Sequence, residues 1–167
     1  MAIATPRTWV VGEVVTAAYM NAEIRDQFND LIAPWVAFTP TWASTGTAPS
    51  LGNGTLVGWH KDVGKLCTAL WEITFGTTTT FGTGTYSWGM PHTAKNPAGS
   101  TSTLNYLGHA RGHGADWYAG VVGVARGTNL ARIYSHLAAT EWSATAPVTW
   151  TASATRYISG EVTYEIA

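Results

Sequence analysis

"SLGNGTLVGWHKDVGKLCTALWEITFGTTTTFGTGTYSWGMP", Ser50 to Pro91, is almost free of charge and is built from Thr, Gly and Trp. Its apolar residues recur with a period of two. In KLCTALWEITF, Cys67, Ala69, Trp71, Ile73 and Phe75 share one side, the pattern of a strand with one buried face. Gly52-Asn53-Gly54 and Gly82-Thr83-Gly84 carry residues that accept positive φ in tight turns. The run Thr77, Thr78, Thr79, Thr80 lies between two strands, where β-branched side chains keep the backbone extended. It reads as an exposed hairpin or loop with hydroxyls facing water, and as a candidate polar interface or sugar-binding rim.

The same period continues to the C-terminus. Leu56–Val63, Leu66–Phe75, Tyr86–Met90, Leu104–Ala110, Trp117–Arg126, Leu130–Leu137, Val148–Ala152 and Tyr157–Ile166 read as strands. That density predicts a mainly β fold, an antiparallel β-sandwich of jelly-roll type. In the last strand Ile158, Val162, Tyr164 and Ile166 face one way and Ser159, Glu161, Thr163 and Glu165 the other. Trp117 to Val124 is apolar on both faces, which predicts a central strand or one buried between subunits.

Ahead of this module the period changes to that of a helix. In TAAYMNAEIRDQFNDLI, Thr16 to Ile32, the residues Met20, Ile24, Phe28 and Leu31 form one apolar stripe, with Thr16 as N-cap and Pro34 just past the end. The opposite side carries Asn21, Glu23, Arg25, Asp26, Asn29 and Asp30. So short a helix is marginal alone, so its stripe must dock on its own domain, on copies of itself or on a partner. Trp9, Val10 and Val11 precede it as an extended arm. The expected division is therefore 1–34, for attachment or oligomerisation, and 35–167, the β domain.

Composition narrows the functional classes. Only 11% of the 167 residues are charged and the formal net charge is -1, against about 25% charged in an ordinary soluble domain. Binding to nucleic acid through counterion release has no basic cluster to work with. No apolar run reaches the roughly 18 residues of a membrane span, and MAIATPRTWVV lacks the apolar core of a signal peptide. The expectation is synthesis in a cytoplasm, with no membrane partner. The single cysteine, Cys67, excludes an internal disulfide and reads as a core thiol.

Catalytic patterns are not found. His109 and His113 have the i,i+4 spacing of zinc ligands on a helix, but Gly108, Gly112 and Gly114 oppose a helix there and no Glu lies between them. Glu72, Asp116, Glu141 and Glu161 are isolated in sequence. No nucleophile elbow, phosphate loop or cysteine triad is present. The reading is a non-enzyme with no cofactor and no metal. Of the nine tryptophans, Trp42, Trp59, Trp71, Trp88, Trp117 and Trp150 fall in or beside predicted strands, consistent with core or interface burial. Trp142, in AATEWSATAP, reads as a loop residue able to stack on a sugar.

TWVVGEVVTAAYMNAEIRDQFNDL resembles the N-terminal segment of small virion proteins of tailed bacteriophages, especially phages of actinobacteria. PTWASTGTAPSLGNGTLVGWHKDVGKL and ITFGTTTTFGTGTYSWGMP are similar to the β-module that follows it in those proteins. The resemblance spans roughly Thr8 to Pro91, and Leu104 to Ala167 shares only the strand-rich character. It implies a virion structural protein of the minor tail, head fibre or capsid decoration type, displayed on the particle's exterior. Such modules commonly form homotrimers, held to a capsid or tail protein by the N-terminal segment. As decoration, the arm and helix lie on the shell; as a tail-tip protein, the β domain binds a host glycan. A free carbohydrate-binding module is the third alternative. The shortness of the chain ahead of the β domain tips the reading toward decoration or a head fibre.

Overall fold

The computed structural model describes residues 7–101, 104–135 and 140–167. Of the expected strand Leu130–Leu137, residues 136–137 lie outside the described residues, as do residues 1–6 of the N-terminal part.

The described residues form one nine-stranded antiparallel sheet: β1 (Val36–Phe38), β2 (Trp42–Ser44), β3 (Thr55–Val63), β4 (Leu66–Thr74), β5 (Tyr86–Gly89), β6 (Leu104–His113), β7 (Trp117–Ala125), β8 (Leu130–Ser135) and β9 (Tyr157–Glu165). Their order is β1-β3-β4-β9-β6-β7-β8-β5-β2. The mainly β class with one N-terminal helical segment is as expected. The enclosure comes from one curled sheet rather than from two separately bonded sheets. Trp71 of β4 and Trp88 of β5 stand five strands apart in that order, yet their rings lie 6.3 Å apart. The sheet has therefore rolled over its own apolar face.

The roll is closed by a short strap. β1 and β2 sit at opposite edges of the sheet, but only residues 39–41 separate them in the chain. Residues 36–44 thus pair with β3 on one side and β5 on the other, joining both edges at a seam. Gly58 and Gly89 make room for it, since a Cβ on Gly58 would meet the Phe38 ring at 2.6 Å and one on Gly89 the Thr41 hydroxyl at 2.4 Å.

Inside lie Cys67, Ala69, Trp71, Ile73 and Phe75, on the side of β4 that alternation assigned to the core, with Tyr86, Trp88, Val122, Ile133, Ile158, Val162 and Tyr164. One expected strand is corrected. Val148–Ala152 is not a strand. Its alternation is real, with Trp150 buried between exposed Thr149 and Thr151, but the Trp150 N–H bonds Ala144 O, so the segment folds back on its own turn. β7 is an interior strand, between β6 and β8, which is one of the two alternatives expected for it; its inner face buries Val122 and Val124, and Trp117 and Val121 stand exposed on its outer face. The threonine run is an exposed loop at Thr77, Thr78 and Thr80, as expected, but not at Thr79. Thr79 is buried, donating to Leu51 O and accepting from Gly76 N, while the Thr78 hydroxyl donates to Asn53 Oδ1, 2.9 Å away. Side-chain bonds stitch this run to the 50–54 turn.

Candidate functional site

The N-terminal segment is helical where expected, from Ala17 to Ile32, with a π-helical turn, Asn21–Arg25, between α1 (Ala17–Met20) and α2 (Asp26–Ile32). Thr16 caps it, its hydroxyl accepting the Tyr19 N–H. Such a turn inside a helix shifts the side chains that follow it around the axis. The stripe is uncovered: Met20, Ile24, Phe28 and Leu31 are 44%, 43%, 63% and 46% exposed.

The arm before the helix is not extended. Val10 to Glu13 forms a turn at Gly12, whose φ of 85° suits glycine. Arg7 lies over the Trp9 and Tyr19 rings and pairs with Glu13, folding the arm back on the helix. Val10 and Val11 still point outward, and Trp9 is partly exposed.

The helix meets its own β domain by its polar side. Lys61, on β3, donates through Nζ to the carbonyls of Asp30 (2.7 Å) and Ala33 (2.5 Å), the C-terminal groups that a helix leaves unpaired. Asp30 is buried, so the apolar stripe faces away from the domain that carries it.

The outer face of the sheet carries a second candidate surface. A groove of about 480 Å³ runs across β3, β4, β9 and β6, bordered by Trp59, Leu70, Glu72, His109, Arg111 and Glu161. Beside it Arg111 lies 4.9 Å from the Trp117 ring centre and 5.4 Å from that of Tyr157. Leu107 and Val121 extend the exposed apolar area. His109 and His113 sit on this face of a strand, with His109 3.7 Å from Glu161 and the His113 ring tilted against that of Trp117, centroids 4.8 Å apart.

Trp142 is corrected outright. It is 0% exposed and packs 5.8 Å from Trp150, because its backbone pairs with Ile133 and Tyr86 and turns the ring inward. It cannot stack on a sugar. Of the threonine run, Thr77, Thr78 and Thr80 remain exposed and Thr79 does not.

A third cluster went unread in the sequence. His60 and Asp62 point to the same side of β3, Cys67 is the cross-strand partner of Asp62, and His92 arrives on the loop after β5. Asp62 Oδ1 lies 3.1 Å from His60 Nδ1 and Oδ2 lies 2.8 Å from His92 Nε2. Burial alone would raise the Asp62 carboxyl, but hydrogen bonds from His60, Cys67 and His92 outweigh it and hold it below the ordinary carboxylate range. Burial pushes the Cys67 thiol up to about 12. The usable signal was the two-residue turn Gly64-Lys65, which sets Val63 opposite Leu66 and so Asp62 opposite Cys67. Nothing local to His92 announces where its loop lands.

Comparison with protein-family models, curated proteins and solved structures returned no match. Among the described residues no helix is long and apolar enough to cross a membrane.

Proposed function

We propose that the chain is a non-enzymatic structural protein of a bacteriophage virion, a homotrimeric surface module fixed to the particle through residues 1–34, and most simply a capsid decoration or head-fibre protein. The observation that carries this reading is the uncovered stripe Met20, Ile24, Phe28 and Leu31, on a helix whose polar C-terminal end is held to its own domain by Lys61. Large apolar side chains left in water on one face mark a surface that a partner covers. The resemblance of Thr8 to Pro91 to phage virion proteins supplies the partner's class, a capsid or tail protein of the same particle. The exposed Leu107, Trp117 and Val121 offer a face on which copies of the β domain would pack.

The test is to replace Ile24 and Phe28 with Asp and count copies in purified particles. Loss of at least nine-tenths of the copies, with the fluorescence of the buried tryptophans unchanged, is the expected result. Normal copy number would sink the reading.

The outer groove favours a second reading, a tail-tip adhesin for a host glycan. Trp59 offers a partly exposed ring beside Glu72, Arg111 and Glu161, the mixture of stacking surface and polar groups that sugars use. Gold-tagged antibody against residues 35–167 separates the two: label over the head supports decoration, and label confined to the tail end supports adhesion.

A further inference from the structure

We infer that His60, Asp62, Cys67 and His92 form a structural zinc site that pins the β3–β4 hairpin to the loop following β5. This goes beyond the virion reading and does not depend on it.

The four donor atoms, two imidazole nitrogens, one carboxylate oxygen and one sulfur, all lie within 4.8 Å of one another. Tetrahedral zinc with bonds of about 2.0–2.3 Å needs donors roughly 3.3–3.8 Å apart. Asp62 reaches both imidazoles, 3.1 Å from His60 through Oδ1 and 2.8 Å from His92 through Oδ2; both distances are shorter than that edge, so binding through one oxygen requires the carboxylate to turn and the imidazoles to spread. Closing the widest separation takes a shift of about one ångström, within reach of side-chain rotation at a partly exposed loop residue such as His92.

The donor set selects the ion. One thiolate with two imidazoles suits zinc or copper, and the fourth ligand decides between them. Here it is a carboxylate close to both imidazoles rather than a weak, distant thioether, which favours tetrahedral zinc. Thiolate and carboxylate together neutralise a divalent ion, so the filled site adds no net charge to a half-buried place. Four protein ligands leave no open position, which makes the site structural rather than catalytic. On binding, the Cys67 thiol proton leaves to solvent and a sulfur–zinc bond takes its place; zinc changes no oxidation state.

The surroundings hold the ligands in position. The Tyr164 hydroxyl accepts the backbone N–H of His92 at 3.1 Å and lies in hydrogen-bonding contact with Cys67, so its own proton can point at the sulfur. The edge of Phe38 packs against His60, with centroids 5.9 Å apart. Outer contacts of this kind orient ligands and strengthen metal binding.

The experiment titrates cobalt(II) into the full-length, chelator-treated protein. One equivalent is expected to bind, giving a sulfur-to-cobalt charge-transfer band in the near ultraviolet and tetrahedral absorption in the visible. Cys67→Ser is expected to abolish the charge-transfer band. Because Cys67 is in the core, that result counts only if circular dichroism shows the fold intact. His92→Ala, on a partly exposed loop, is the second test and is expected to weaken binding at least tenfold. Tyr164→Phe is expected to keep the band and weaken binding by about tenfold. Zinc should raise the melting temperature of the wild-type chain and not that of His92→Ala. The inference is overturned if excess cobalt gives no sulfur band, if the band survives both Cys67→Ser and His92→Ala, or if zinc leaves the wild-type melting temperature unmoved.

Discussion

Residues 7–34 and 35–167 spend the same kinds of side chain in opposite ways. In the β domain Trp71, Trp88, Phe75 and Ile133 are withdrawn from water, each touching others across a rolled sheet. In the N-terminal segment Val10, Val11, Val14, Met20, Ile24, Phe28 and Leu31 stand in it. The helix residue that is buried is Asp30 rather than any of the stripe. Apolar content alone therefore does not separate core from exposed surface. What separates them is whether the chain's own fold can reach the face.

The sharpest way to break this contrast is at the centre of the core. Trp71→Ala should cost about 3–5 kcal/mol of unfolding free energy, measured by urea denaturation, because no neighbour can fill the space left. Gly160→Ala tests the same ring from the other side. Its new Cβ would sit 2.4 Å from Trp71, and the overpacking should cost about 1–3 kcal/mol. Thr79→Val strips a buried hydroxyl that both donates and accepts, and should cost about 1–3 kcal/mol in the same assay.

A smaller effect is expected from Glu141. Burial pushes its carboxyl up, but hydrogen bonds from Thr85, Arg132 and Tyr134 pull it net below the ordinary value of 4.5. A carboxyl lowered by folding stabilises the folded state above its unfolded value and loses that contribution as pH falls through its folded one. Stability should thus decline below about pH 4.5, and Glu141→Gln should flatten that decline in melting curves taken across acid pH.

The smallest effect on stability is expected where the effect on attachment is largest. Ile24→Asp with Phe28→Asp should change unfolding free energy by no more than about 0.5 kcal/mol, since both side chains are already in solvent. A loss as large as that of Trp71→Ala would mean the stripe is core after all and would erase the distinction between the two regions.

Much of the fold was legible in the sequence. Period-two alternation located β3 to β9, and the Thr16 cap with its 3.6-period stripe located the helix. The failures are physical ones. β1 and β2 are three residues each, too short for a period to register. Val148 to Thr151 alternates as a strand does, because burial alternation needs only an extended backbone beside a core and not a paired one. Trp142 sits in a polar neighbourhood of sequence, and only long-range pairing with Ile133 and Tyr86 turns it inward. The His60, Asp62 and Cys67 half of the metal cluster follows from one hairpin register; the His92 half depends on where a loop lands.

The strap across the seam also sets how the molecule carries load. Were a copy held by its helix, as proposed, tension would enter the sheet at Val36, the first residue of β1, and the pairs Val36↔His60, Ala37↔Trp59 and Phe38↔Gly58 would be the first to feel it. The Lys61 ammonium, clasping the helix end at Asp30 and Ala33, gives that tension a second route straight into β3. On that reading the closure that joins the sheet's edges is also where the domain would open first under load, ahead of its aromatic centre.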